Sequence, residues 1–364
     1  MATSIVFYLL VLLIIEIMAE TAEKKDNPKW LIYIIIILAL VSGLRAESVG
    51  IDTHSYVSIF ESIKTNDVTL AWRNIEKSFL TVCKIILSIN SNNNFIFFIF
   101  SLLTNALIVL RLWDFKKVAS LSWMIACYYV TFYFMTMNIV RQFCAIAIIF
   151  FATRYLMERK YFSYFAFVIL GFLFHRSALL GLAFYALEVT NWKNLDFKRR
   201  LFIIVGVITI PLYVGYIFAN FERYLKYFGS INAEVGLMLP VKVVLYILVG
   251  LGIEQYFKED ELIGCTNDGY LLPVSDFEMV RLIKYDYLIG ILTTFLGYFF
   301  SFMDRIGLVF YLFECVFWGI AIKNRKDRVA CEILCAAILI YTLCSSFLGN
   351  GQGVLPYHFF WQMT

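Results

Sequence analysis

Arg45-Ala46-Glu47-Ser48-Val49-Gly50-Ile51-Asp52-Thr53-His54-Ser55-Tyr56 is a polar island that follows directly on an apolar run, residues 30–44. It joins a cation, a carboxylate, an imidazole and hydroxyls to a glycine whose backbone can turn sharply. The same alternation of long apolar runs and short polar corners extends in both directions along the chain. The composition agrees, with 61% hydrophobic and 16% charged residues and a mean hydropathy of +0.78. A soluble domain is about half apolar and a quarter charged, so the excess must face lipid. The reading is an all-α, polytopic integral membrane protein whose 364 residues form a single domain of about 12 transmembrane helices.

The net charge of +4 is small, and the basic residues form short clusters between apolar runs. That pattern excludes a nucleic-acid-binding tract and sets orientation instead. Of the eight cysteines, Cys127, Cys144, Cys315, Cys331, Cys335 and Cys344 fall inside apolar runs with no C-x-x-C, as core residues do. The first apolar run, residues 4–19, lacks a basic start and a small-residue cleavage site, so it is expected to be retained.

Positive residues favour the cytoplasmic side. On that rule the clusters at Lys24, Lys116, Lys198 and Lys326 are inside, and both chain ends are outside. The run at 30–44 is short for a span and requires thinning or snorkelling at its ends. It carries Arg45 into an outer segment, 45–94, which includes a helical apolar pattern over 75–89. A spanning helix there would put Arg111, Lys116 and Lys117 outside, so an amphipathic interfacial helix is expected. Further spans are read at 95–112, 118–137, 139–157, 161–174, 178–190, 201–219, 240–256, 286–302, 306–322 and 329–348. A cytoplasmic loop covers 257–284, and the tail 349–364 is outside.

This path gathers Arg45, Asp52, His54, Glu76, Arg141, His175, Arg176, Asp304, Arg305 and His358 on the outer face, including all three histidines. An arginine inside lipid costs about 2.5–3.5 kcal/mol on insertion scales, so Arg141, within a long apolar stretch, is expected to face a polar cavity. Each residue has a structural reading too. Arg141 and Arg305 could snorkel, His175 could be an interfacial histidine with its bonds satisfied, and Asp52 could cap the helix that follows. Independent snorkelling would scatter arginines over both faces. Several outer arginines with few acidic partners point instead to an anionic ligand, since guanidinium forks bind phosphate oxygens two at a time. Glu16, Arg154 and Glu188 are expected to snorkel, whereas Glu314, mid-span, suits a buried polar contact. No Walker loop, H-E-x-x-H, G-x-G-x-x-G or Asp-x-Asp pair is found, which argues against an ATPase or a metal-dependent cytoplasmic glycosyltransferase.

At these residues the chain resembles the EpsG family of bacterial exopolysaccharide polymerases, grouped with the Wzy-type polymerases. The resemblance covers most of the chain. It rests on Arg45 with Gly50-Ile51-Asp52-Thr53 and Tyr56, on Glu76 ahead of an apolar run, on Asn138 with Arg141-Gln142, on Phe174-His175-Arg176-Ser177-Ala178, and on Arg305. Where such proteins often read Glu-Pro-Gly, this chain has Glu76-Lys77-Ser78, which weakens the case for Glu76. The resemblance implies a GT-C-like architecture in the bacterial cytoplasmic membrane with an outward-facing site. The implied substrate is a polyprenyl-diphosphate-linked oligosaccharide, joined with release of polyprenyl diphosphate and without cofactor or metal. A flippase and a chain-length regulator would be partner proteins.

On these grounds Asp52 and His175 are the candidate catalytic bases, and Arg141, Arg176 and Arg305 the diphosphate ligands. Arg45, Tyr56, Gln142, Glu76 and Tyr357 are substrate-binding or structural candidates. A histidine base would lose activity as pH falls through about 6–7 and an aspartate would hold lower. A sugar acyltransferase and a transporter or flippase of the same lipid are the alternatives; no internal repeat of the transporter kind is present. The orientation can be read directly by labelling. In a variant stripped of native cysteines, single cysteines near Asp52, Arg176 and Gly351 should react with an impermeant thiol reagent from outside, and one near Lys198 should not.

Overall fold

The computed structural model describes residues 1–67, 75–189, 206, 240–251, 276–297, 303–323 and 328–362. In chain order the helices are α1 (Ala2–Lys24), α2 (Lys29–Gly43), α3 (Thr53–Lys64), α4 (Lys77–Ile89), α5 (Asn93–Asp114), α6 (Leu121–Tyr128), α7 (Phe134–Asn138), α8 (Val140–Met157), α9 (Tyr161–Phe174) and α10 (Gly181–Val189). They continue with α11 (Pro240–Leu251), α12 (Asp276–Gly297), α13 (Met303–Tyr311), α14 (Glu314–Lys323) and α15 (Arg328–Gly349). Among the described residues there is no β-strand, only an isolated bridge between Arg45 and Phe359.

Burial shows why the runs are apolar on every side. On α1 the inner stripe is Ser4, Tyr8, Val11, Ile15, Ala19 and Ala22, at helical spacing, while Val6, Leu9, Leu10, Leu13, Ile14 and Ile17 are exposed. A helix with apolar residues both on its buried face and on its open face belongs in lipid. Among the described residues five helical stretches are long and apolar enough to cross a membrane: Ala2–Lys24, Asn93–Asp114, Val140–Met157, Arg305–Lys323 and Val329–Gly349. Three shorter apolar helices, Lys29–Gly43, Tyr161–Phe174 and Pro240–Leu251, stand beside them. The chain is therefore a helical membrane protein. Of the twelve expected spans, 201–219 lies outside the described residues apart from Gly206.

Several boundaries differ from the pattern reading, each for a local reason. The run at 118–137 is broken by a π-helical turn, Tyr129–Tyr133, between α6 and α7. Such a turn re-aims side chains. Here Tyr129 bonds the Tyr8 carbonyl at 3.0 Å, Tyr133 the Leu38 carbonyl at 2.6 Å, and Tyr128 the Asn105 amide oxygen at 2.8 Å. The span at 306–322 is interrupted at residues 312–313. Helix α12 starts at Asp276 rather than at 286, so the expected cytoplasmic loop 257–284 is shorter by one helical stretch. Its Lys284 carbonyl receives the Tyr246 hydroxyl at 3.1 Å, which ties that early turn to α11.

Helices α2 and α5 approach closely because Gly43 has no side chain; a Cβ there would lie 2.6 Å from Phe98 Cβ. Helix α4 lies within the expected 75–89 stretch. Phe79, Cys83 and Ile86 join Tyr56, Phe60, Phe97 and Phe100 in a second hydrophobic cluster beside the main core.

The helix ends fall into two groups. At one, Glu23 accepts the Leu121 N–H at 2.8 Å and pairs with Lys323 at 3.1 Å, Lys116 pairs with Asp26, and Arg111 and Arg154 share Asp114. Arg154 and Glu16 thus have protein partners rather than snorkelling: Ser122 donates to Glu16 at 2.5 Å. Glu188 lines a cavity of about 20 Å³ with Asp286, Thr153 and Met157. The expected cluster at Lys198 lies outside the described residues. The opposite end holds Arg45, Asn94, Asn138, Arg141 and His175.

Between the two ends, Glu314 makes the buried contact expected of it. Lys242 meets its Oε1 at 2.7 Å and the Tyr311 hydroxyl at 2.7 Å, and Tyr287 and Trp318 donate to the same oxygen at 3.3 and 3.4 Å. Lys242 and Glu314 side chains are 6% and 1% exposed, so neither charge has water to fall back on. Lys242→Met should strand the carboxylate and destabilise the bundle by about 3–5 kcal/mol, while Lys242→Met with Glu314→Gln should recover most of that. Thermal aggregation of the three proteins in detergent reads the difference, and equal midpoints for single and double variants would refute the pairing.

Candidate active site

Arg45 leaves α2 and turns inward, with 1% of its surface exposed. Its Nη1 donates to the Ser42 carbonyl at 2.6 Å and the Ser42 hydroxyl at 2.7 Å, Nη2 to the Met137 carbonyl at 2.9 Å, and Nε to Thr53 Oγ1 at 3.4 Å. The Phe97 ring covers its face at 4.2 Å. Burial lowers its pKa to about 10, which leaves it charged at neutral pH. Every nitrogen is committed to the protein, so Arg45 is a structural cation rather than a substrate ligand.

The polar island wraps around this guanidinium. Gly50 sits at φ +99°, a conformation side chains avoid, and its N–H bonds the Gly353 carbonyl at 2.8 Å. Asn138, at the break between α7 and α8, accepts the Asp52 N–H at 3.3 Å and donates to Gln352 O and Oε1 at 2.9 and 2.7 Å. Asp52 occupies the N-cap position of α3, but its side chain makes no capping bond; the carboxylate is half-buried beside the knot.

The tail is a strap, not a free end. Ala46 N–H bonds the His358 carbonyl at 2.8 Å, Phe360 N–H the Leu44 carbonyl at 2.9 Å, and buried Tyr357 bonds the Val41 carbonyl at 2.9 Å. Tyr357 is therefore structural as well. His54 pairs with Glu47 on the surface, so the histidines do not converge.

A second group does converge, on the corner after α9. Arg141 pairs through Nη1 with Glu76 Oε2, and its guanidinium lies over Phe79 at 5.6 Å. Its backbone N–H meets the Tyr56 hydroxyl at 3.4 Å. The other Glu76 oxygen accepts the Arg176 N–H at 3.4 Å. Gln142 donates to the Arg305 carbonyl at 2.6 Å, which brings α13 to α8. His175 lies among them: burial first, then Arg141, Arg305 and Arg176, hold its imidazole down to about 4. Arg176 and Arg305 are exposed, so their charges open onto the surroundings while Arg141 stays half-buried. Among the three arginines of this corner Glu76 is paired with one, leaving an excess of positive charge suited to an anion.

Two expectations change, and two residues were missed. Arg141 does not lack an acidic partner; Glu76, set aside for its altered motif, is that partner, and it also grips the corner. His175 is not poised near pH 6.5. The strap residues Asn350 and Gln352 carried no apolar or charge signal, because they act through carbonyls and amides. Only their closeness to Gly351 and Gly353, a turn-rich stretch, could have marked them.

A bundle of membrane-crossing helices with an arginine-rich corner at one end defines a polytopic membrane protein equipped to hold an anionic group. The chain matches the EpsG family over residues 29–359, and it belongs to that family, whose members are exopolysaccharide polymerase-like membrane proteins acting on lipid-linked oligosaccharide. No curated protein and no solved structure matches the chain.

The knot yields a stability test. Asn138→Ala removes both bonds to Gln352 and the acceptor for Asp52 N–H, and should cost on the order of 2 kcal/mol. Limited proteolysis in detergent should then cut the strap between 349 and 360 faster than in the wild type. Unchanged cleavage would mean the strap is held by other contacts.

Proposed function

We propose that this protein is a polysaccharide polymerase, a glycosyltransferase that joins polyprenyl-diphosphate-linked oligosaccharide repeat units at the outer face of the bacterial cytoplasmic membrane. The supporting observation is the convergence of Arg141, Arg176 and Arg305 on His175, at the bundle end that also holds Asp52. The path of about twelve spans, the GT-C-like architecture, the interfacial placement of α4 and the outward orientation belong to the same proposal.

In this reading the donor diphosphate rests against the arginines. An acceptor sugar hydroxyl forms the new bond to the donor anomeric carbon while the bond from that carbon to the diphosphate oxygen breaks. The hydroxyl proton goes to Asp52, the carboxylate at this end with no capping bond to make. Polyprenyl diphosphate leaves as the anion, and the guanidinium groups stabilise the charge it gathers, which removes the need for a metal ion.

Purified protein in liposomes, given defined lipid-linked repeats, should produce a product ladder and free polyprenyl diphosphate. Arg141→Lys and Arg305→Lys keep the charge and lose the planar fork, and each should reduce turnover by about 100-fold. Near-normal ladders from both variants would remove the arginine clamp from the mechanism, and the absence of any ladder from the wild type would remove the polymerase reading.

A further inference from the structure

His175 ends α9 in extended backbone, φ −158° and ψ 135°, and opens the short 3-10 turn Arg176–Leu180. In that geometry its ring folds back over the next residues. Nδ1 receives the Ser177 N–H at 3.2 Å and lies 2.8 Å from the Ser177 hydroxyl. A backbone N–H can only donate, so the Nδ1 lone pair is taken. A neutral imidazole carries one ring proton, which must then be on Nε2. Among the described residues Nε2 has no hydrogen-bond partner, and the ring is half-buried.

The corner is held on its other side by Glu76, which grips both the Arg141 guanidinium and the Arg176 N–H. A fourth positive charge among Arg141, Arg176 and Arg305 would be repelled by all three, and Glu76 offsets only part of that. A neutral N–H adds a donor without adding charge.

We propose that His175 is a hydrogen-bond donor, presenting Nε2–H to a phosphate oxygen of the bound diphosphate, and that Ser177 is the positioning residue that selects this tautomer. The lone pair that a base would need is occupied at Nδ1 and absent at Nε2, so His175 does not take the acceptor's proton. The assignment rests on reading this corner as the diphosphate seat. Burial and the three arginines hold the imidazole down to about 4, so the same donor is expected to persist between pH 5 and 8.

The test uses the full-length protein labelled with 15N-histidine in detergent. Three histidines give resolvable ring signals, and His175→Gln assigns the one of interest. At pH 7 the wild type should show the neutral Nε2–H pattern, without titration down to about pH 5, and added inorganic diphosphate should shift the Nε2 signal. An Nδ1–H or imidazolium pattern, or no response to diphosphate, overturns the proposal. In polymerisation assays His175→Gln, whose amide can place an N–H near the Nε2 position, should stay within about tenfold of the wild type, whereas His175→Ala should lose about 100-fold. Equal losses in the two variants at equal folded protein also overturn it. A wild type with the expected tautomer and diphosphate response that forms no polymer would defeat the polymerase reading and leave the donor assignment standing.

Discussion

A buried guanidinium sets the terms for one whole end of this protein. Arg45 has almost no exposed surface, and a cation placed so close to an apolar core is tolerable only if each of its nitrogens finds an acceptor. The acceptors come from three places: the end of α2, the start of α3 and the last turn of α7. The Met137 carbonyl is available because helix α7 ends one residue later, where the last carbonyls have no intrahelical partner. The break at 138–139 is thus part of the same solution, and the Asn138 amide closes it by joining Asp52 to Gln352.

That knot positions the arginine-rich corner without belonging to it. With α7 stopped at Asn138, α8 restarts at Val140 and sends Arg141 toward Glu76 and the α9 corner. The second hydrophobic cluster, built from Tyr56, Phe60, Phe79, Phe97 and Phe100, fixes α3, α4 and α5 around it. Tyr56 belongs to both, with its ring in the cluster and its hydroxyl against the Arg141 N–H. The corner therefore has an apolar floor and a charged rim.

A different solution operates within the bundle. The Lys242–Glu314 pair, with Tyr287, Tyr311 and Trp318 around it, binds α11 to the broken helix α13–α14. Arg305 is carried near the start of that helix, so the pair steadies one of the corner's arginines from a distance. Buried pairs of this kind are weak sources of stability but strong determinants of which helix sits beside which.

The membrane class, the two-ended distribution of charge and the family were legible in the residues, because hydropathy and charge act locally and survive without knowledge of the fold. So was the grouping of Arg45, Asp52, Arg141, His175 and Arg305 toward one end of the bundle. Their roles were not. Whether an arginine is a structural cation or a ligand depends on which carbonyls point at it, and for Arg45 one of these lies 92 positions away. Glu76 became the partner of Arg141 only when α4 packed against α9, and the partner of Glu314 lay across the bundle in Lys242. The bonds that tie the tail to α2 and to Asn138 run largely through backbone groups and amides, which leave no mark in composition. What tertiary structure decided was the pairing of long-range polar groups, since in a low-dielectric interior the cost of an unpaired charge or N–H is settled by three-dimensional neighbours and not by spacing along the chain.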